Sequence, residues 1–108
     1  MSRSCTESTQ VRAPAAVVQA VLQEAYAGGN LRDIEIRESG LSATIVDGNQ
    51  IIRVDFAVRG NGMTCVLEQS MTFLQGQGAG SWLVMKPLVK RKIQENLISM
   101  KAQAESQV

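Results

Sequence analysis

Histidine is absent from this 108-residue chain. That removes the commonest general base and metal ligand at neutral pH. Cysteine occurs twice, at Cys5 and Cys65, too sparsely and too far apart for a zinc site or a disulfide framework. An excess of either charge is also lacking. Eleven Lys and Arg face ten Asp and Glu, for a net charge of +1, so bulk attraction to nucleic acid or to an anionic membrane is not expected. No run approaches the ~20 apolar residues of a membrane span. The longest uncharged stretch, residues 69–85, is broken by Gln75-Gly76-Gln77-Gly78, and stable membrane insertion is not expected. The opening Met1-Ser2-Arg3-Ser4-Cys5-Thr6-Glu7 has no apolar core of the kind a secretory signal needs. The expectation is a cytoplasmic protein with two reduced thiols.

What is present suffices for one core. Hydrophobic residues make up 44% of the chain, and a chain of this length folds as one domain, here residues 1–108. Residues 4–11 read as a short strand, rich in Ser, Thr and Val. Pro14 suits the first helical position, which has no intrahelical N–H bond to lose. Val17, Val18, Val21, Leu22 and Ala25 follow at helical spacing, and Ala27-Gly28-Gly29-Asn30 is the expected stop. The middle of the chain alternates. Ile34 and Ile36 interleave with Asp33, Glu35 and Arg37, and Leu41, Ala43 and Ile45 with Ser42 and Thr44. After an Asp47-Gly48-Asn49 turn, Ile52, Val54, Phe56 and Val58 share one strand face. After Arg59-Gly60-Asn61-Gly62, the residues Met63, Cys65, Leu67, Met71 and Phe73 share another. Such alternation indicates antiparallel strands with one wet face. Residues 75–80 read as a loop, and Ser81 to Met85 as a short apolar segment. Pro87 then opens a last helix, whose stripe is Ile93, Leu97, Met100 and Ala104. Helix stripe and sheet face can cover each other, which predicts a two-layer α+β domain.

This order resembles the START/polyketide-cyclase/SRPBCC superfamily, whose members have the helix-grip fold. Val11-Arg12-Ala13-Pro14-Ala15-Ala16-Val17-Val18 is similar to the family's first strand running into its first helix. Gly62-Met63-Thr64-Cys65-Val66 is similar to the opening of its last long strand. Pro87-Leu88-Val89-Lys90-Arg91-Lys92, then Asn96-Leu97-Ile98-Ser99-Met100-Lys101 and Glu105, resemble the start and end of its long last helix. The chain departs from the pattern between the first helix and the last strand, where relatives carry a second short helix and about two more strands. The resemblance therefore implies an abbreviated antiparallel sheet curled around a long C-terminal helix, with a hydrophobic ligand pocket between them. It also implies that the first and last strands pair, which brings the strands of Cys5 and Cys65 together.

Such a pocket would be lined by Phe56, Leu67, Gln69, Met71, Phe73, Trp82, Met85, Ile93, Leu97 and Met100. Gln69 is the one polar interruption on its strand face, suited either to orienting a ligand's carbonyl or to a structural hydrogen bond. Methionines at 63, 71, 85 and 100 suit an adaptable lining or ordinary packing. Trp82 could gate a pocket mouth or plug the end of the core. Lys86, Lys90, Arg91 and Lys92 sit at a helix start, where cations are disfavoured unless an anion relieves them; a solvated face is the alternative. Nothing points to nucleic acid, since no aromatic platform accompanies these cations. Catalysis has little support: Asp33, Glu35, Asp47, Asp55 and Glu68 fall mostly on polar strand faces, and neither cysteine has a histidine to activate it. The glycines of residues 75–80 lack the Lys-Ser/Thr of a phosphate loop.

The leading expectation is non-catalytic binding or transport of an apolar small molecule or lipid, with no metal and no cofactor. The alternatives are a cyclase-like or dehydratase-like enzyme using Gln69 or Tyr26 to orient substrate, and a structural module with a filled core. A homodimer is expected as well, because an abbreviated sheet leaves an edge to cover and residues 41–46 carry no charge and no proline.

Overall fold

The computed structural model describes residues 3–26, 31–60, 62–75 and 79–108. Its elements are β1 (Ser4–Val11), α1 (Ala15–Ala25), β2 (Leu31–Arg37), β3 (Gly40–Asp47), β4 (Gln50–Arg59), β5 (Cys65–Gln75) and α2 (Ala79–Glu105). The strands form one antiparallel sheet in the order β1-β5-β4-β3-β2. This is the expected α+β helix-grip arrangement with a five-stranded, abbreviated sheet.

The alternation read from the sequence sets the inner face. Leu41, Ala43, Ile52, Val54, Phe56, Val58, Leu67 and Phe73 are all buried. The opposite face carries polar pairs. Ser42 Oγ donates to Asp55 Oδ1 at 2.6 Å, Thr6 and Ser70 share a hydroxyl hydrogen bond of 2.7 Å, and Arg59 pairs with Glu68. Asp47 is the register partner of Gln50, so Gly48 and Asn49 form a two-residue connection. Gly48 takes φ 60°, which only glycine adopts without cost.

Pro14 stands one residue earlier than expected, as the N-cap of α1 with ψ 151°. Its carbonyl accepts from the Val17 and Val18 amides at 3.0 and 3.3 Å. Val18, Val21 and Leu22 point inward. The stop expected at Ala27-Gly28-Gly29-Asn30 lies outside the described residues, as do Asn61 and residues 76–78 of the expected turn and loop.

The last helix is longer than the sequence suggests. It begins at Ala79 and passes through Pro87, so proline does not open it and residues 81–85 are helical. Proline removes one intrahelical bond, to the carbonyl four residues earlier. That residue, Leu83, is exposed, and water can serve its carbonyl. The stripe Ile93, Leu97, Met100 and Ala104 is buried, at 0, 2, 5 and 0% exposure, and Trp82 and Val89 extend it. Glu105 accepts the Arg12 backbone N–H at 2.8 Å, and Gln94 Nε2 donates to Glu7 at 2.7 Å, so the helix is fastened along β1.

Two expectations about strands need correction. Residues 41–46 are not an edge: β3 pairs with β2 on one side and β4 on the other. The edges are β1 and β2. On β2, Ile34 and Ile36 are 40% and 58% exposed, because the outermost strand extends beyond the packed core. A register shift between Arg32 and Glu35, with Asp33 at φ 51°, marks a bulge there. Met63, placed on the inner face by alternation, precedes β5 and is 70% exposed. The strands of Cys5 and Cys65 do pair, yet Cys5 is opposite Met71 and Cys65 opposite Val11. The two free, buried thiols therefore sit about 20 Å apart along the ladder.

A candidate cleft between sheet and C-terminal helix

Where α2 rises from the β1–β5 side of the sheet, a cleft opens over β3 and β4. Its volume is about 370 Å³, and it is lined by Tyr26, Ile45, Val54, Gln69, Met71, Lys92, Glu95 and Asn96. A second hollow of about 270 Å³ shares Ile45, Met71 and Lys92 with it and adds Ile52, Phe73, Met85 and Val89, with Asp47 and Gln50 at its rim. Alternation explains the floor, since Ile45, Val54, Met71 and Phe73 come from three neighbouring strands on one face.

The polar groups gather at one end. Gln69 is 4% exposed. Asn96 Nδ2 donates to its Oε1 at 2.8 Å, which leaves the Gln69 amino group as its donor end. Tyr26 stands beside them, its ring centroid 5.2 Å from that of Phe56. Burial pushes the Tyr26 phenol above its ordinary pKa, while a side-chain hydrogen bond with Asn96 works the other way. The phenol thus stays protonated at neutral pH and can donate. Arg91 pairs with Glu95 at 3.3 Å across one turn of α2, which leaves Lys92 as the cleft's unpaired cation among the described residues.

Of the residues expected to line a pocket, the structure brings Gln69 and Met71 to the cleft, and Met71, Phe73 and Met85 to the adjoining hollow. Phe56 lies buried behind Tyr26. Trp82 is 5% exposed, with its ring centroid 5.2 Å from that of Phe73, so it plugs the end of the core. Leu67, Ile93, Leu97 and Met100 do not line the cleft. They are buried in the core, where α2 is pressed against β1 and β5. Sequence reasoning missed Ile45, Val54, Glu95 and Asn96 among the cleft's lining, and Asn96 is the one that bonds to Gln69. Its signal was available, as it lies three residues after Ile93 and four before Met100, a polar group at the margin of the apolar stripe. Among the described residues no group of three or more His, Cys, Asp or Glu could hold a metal.

A separate hollow of about 380 Å³ lies between α1 and the β2–β3 turn, against Ala15, Ala16, Gln19, Ala20 and Glu38. Gln19 Nε2 donates to the carbonyls of Arg37 and Gly40, at 3.1 and 2.9 Å, so it ties the helix to the turn.

No family model matches the chain, and no curated protein matches it. Solved structures do. The Zhui aromatase/cyclase from Streptomyces sp. R1128 superposes with a TM-score of 0.60 at 14% identity, covering 97% of this chain and 94% of that one. The protein has a START/polyketide-cyclase-like fold. A START superfamily protein from Mycobacterium smegmatis is similar over 97% of this chain and 96% of that one, with a TM-score of 0.51 at 15% identity. A polyketide_cyc-like protein from Corynebacterium glutamicum is similar over 99% and 94%, with a TM-score of 0.51 at 12% identity. At these identities the likeness concerns the START/polyketide-cyclase-like fold alone, and function has to be argued from the cleft.

Proposed function

We propose that the protein binds an apolar small molecule or lipid, without turnover, in the cleft between the sheet and α2. The observation that carries this reading is the cleft's division into an apolar floor and a polar end. Ile45, Val54, Met71 and Phe73 offer contact area, while Tyr26, Gln69 and Asn96 offer hydrogen bonds to a ligand carbonyl or hydroxyl. A volume of about 370 Å³ lies at the lower end of ligand sites, which run ~300–1,000 Å³. It suits a small ring compound or one portion of a longer chain.

Native mass spectrometry of the purified protein tests for retained ligand. Titration with an environment-sensitive naphthalene fluorophore tests the cleft directly. Saturable binding that Met71→Trp abolishes is the expected result, because the new ring fills the space above Val54. No retained molecule together with no saturable binding would reject the reading and favour a structural module. A cyclase-like enzyme is the second reading, favoured by the convergence of a protonated phenol and two amides on one spot. Tyr26→Phe separates the two, since a binder loses a few-fold in affinity while an enzyme that polarises a carbonyl through this hydroxyl loses turnover.

A further inference from the structure

The outward face of α2 near its N-terminus has no partner among the described residues. Leu83, Val84 and Leu88 are 76%, 71% and 56% exposed. At about 100° per residue, they share with Pro87 the side of the helix opposite the buried Trp82 and Val89. Lys90 falls on one flank of this apolar strip, beside Lys86, and Lys92 falls on the other. Residues 79–94 contain these lysines and Arg91 but no carboxylate. The carboxylates nearby are engaged: Glu95 is held by Arg91 at 3.3 Å, and Glu7 accepts from Gln94 at 2.7 Å. Among the described residues, Lys86, Lys90 and Lys92 make no ion pair.

We propose that this face of α2 docks peripherally on an anionic lipid bilayer. Leu83, Val84 and Leu88 enter the headgroup–acyl boundary, and the flanking lysines reach anionic headgroups. An apolar strip bordered by lysines on both sides is the pattern of a helix that lies in the membrane interface, with long side chains that keep their charge in the polar layer. No helix among the described residues is long and apolar enough to cross a membrane, so the helix lies on the bilayer. The net charge of +1 conceals this polarity, because the balancing carboxylates belong to other elements. A second copy fits the strip poorly, since two-fold packing would set lysine flank against lysine flank. Nucleic acid fits it poorly too, as three adjacent aliphatic side chains offer nothing to a phosphate backbone. Lys92 borders the cleft as well as the strip, so docking brings that rim of the cleft to the bilayer.

Flotation of the full chain with vesicles tests the proposal. Vesicles of phosphatidylcholine mixed with phosphatidylglycerol should carry the protein, vesicles of phosphatidylcholine alone should not, and high salt should release it. Leu83→Ser/Leu88→Ser should abolish binding. Lys86→Gln/Lys90→Gln, which leaves the cleft intact, should weaken it roughly 25-fold, at about fivefold per lysine near an anionic surface. Unchanged Trp82 emission and urea midpoint show that each variant is folded; should the leucine variant fail to fold, the lysine variant decides. Failure to float with the mixed vesicles, equal binding to both vesicle types, or full binding by the lysine variant would overturn the proposal. So would self-association that the leucine variant removes, which would assign the strip to a second copy. Loss of fluorophore binding in the cleft leaves this result untouched, so the two readings fail separately.

Discussion

Truncating the inward stripe of α2 offers a quantitative test of how the helix is held. Leu97 is 2% exposed, and Ile93 is fully buried. Leu97→Ala removes three carbons, worth about 2.4 kcal/mol at ~0.8 kcal/mol each, and adds the cost of any void that stays open. Leu97 also borders a shallow surface hollow with Ser8, Thr9, Gln94 and Ile98, so its void can open to solvent and relax. The expected loss is about 3 kcal/mol, in the lower part of the measured range for buried leucines. Ile93 is fully buried and lines none of the hollows described above, so Ile93→Ala should cost more, about 4 kcal/mol. Stability for a domain of this size is ~5–15 kcal/mol, so Ile93→Val, at about 1 kcal/mol, is the variant to use if the alanine fails to fold. Urea titration followed by Trp82 emission measures all three, because this tryptophan packs on Phe73 and reports α2 leaving the sheet. A loss below about half a kcal/mol for Leu97→Ala, typical of surface substitutions, would refute the packing described here. So would an Ile93→Ala cost smaller than that of Leu97→Ala.

Alkaline solution should destabilise the protein in two steps. Burial raises the Cys5 and Cys65 thiols above 9.0 and the Tyr26 phenol above 10.0. The folded state therefore holds these protons more tightly, and its stability is complete below those values and falls as pH rises past them. Urea midpoints at pH 8 and above 10 check this, and Tyr26→Phe should remove the later part of the fall; a midpoint that does not move would refute it. Gly40→Ala should destabilise by more than the ~1 kcal/mol of an ordinary glycine replacement, because a Cβ would run into the Phe56 carbonyl oxygen; a melting temperature equal to the parent's would count against the β3–β4 register. Of the two sheet edges, β1 and β2, the proposed homodimer would use β2, where Ile34 and Ile36 are exposed, although the bulge and Arg32, Glu35 and Arg37 are features that discourage strand pairing. A single species at the 11.7 kDa chain mass in micromolar sedimentation would reject it.

What the sequence disclosed depended on whether a pattern was local. Ile52, Val54, Phe56 and Val58 alternate without interruption, and all four are buried. The stripe Ile93–Leu97–Met100–Ala104 repeats at helical spacing and faces inward as expected. Pro87 misled, because proline marks a helix start only when nothing holds the preceding turns. Here Trp82 against Phe73 fastens those turns to the sheet, a contact between residues whose pairing no local pattern displays. Strand order was equally non-local: residues 41–46 look like an unguarded edge until β2 is seen beside them. The cleft was half legible. Gln69 stood out as a polar break in an apolar face, while its partner Asn96 comes from another element, and Ile45 and Val54 line the cleft only because α2 leans toward β1. Lining residues drawn from the helix stripe failed for the opposite reason, since a stripe that packs well leaves no space.

The pairing of β1 with β5 has a consequence for how the chain acquires its structure. Ser4 meets Thr72, and Val11 meets Cys65, while the Arg12 amide waits for Glu105. A ribosome releases residues 4–11 long before any of these partners exist. The β2–β3–β4 hairpins can close early from neighbouring residues, but β1 has no ladder to join until β5 has emerged, and no cover until α2 follows it. Such long loop closures slow folding. Throughout that interval the first strand is an unpaired edge looking for any partner, its own or another chain's. The order of synthesis thus leaves β1 waiting for partners that are made much later in the chain.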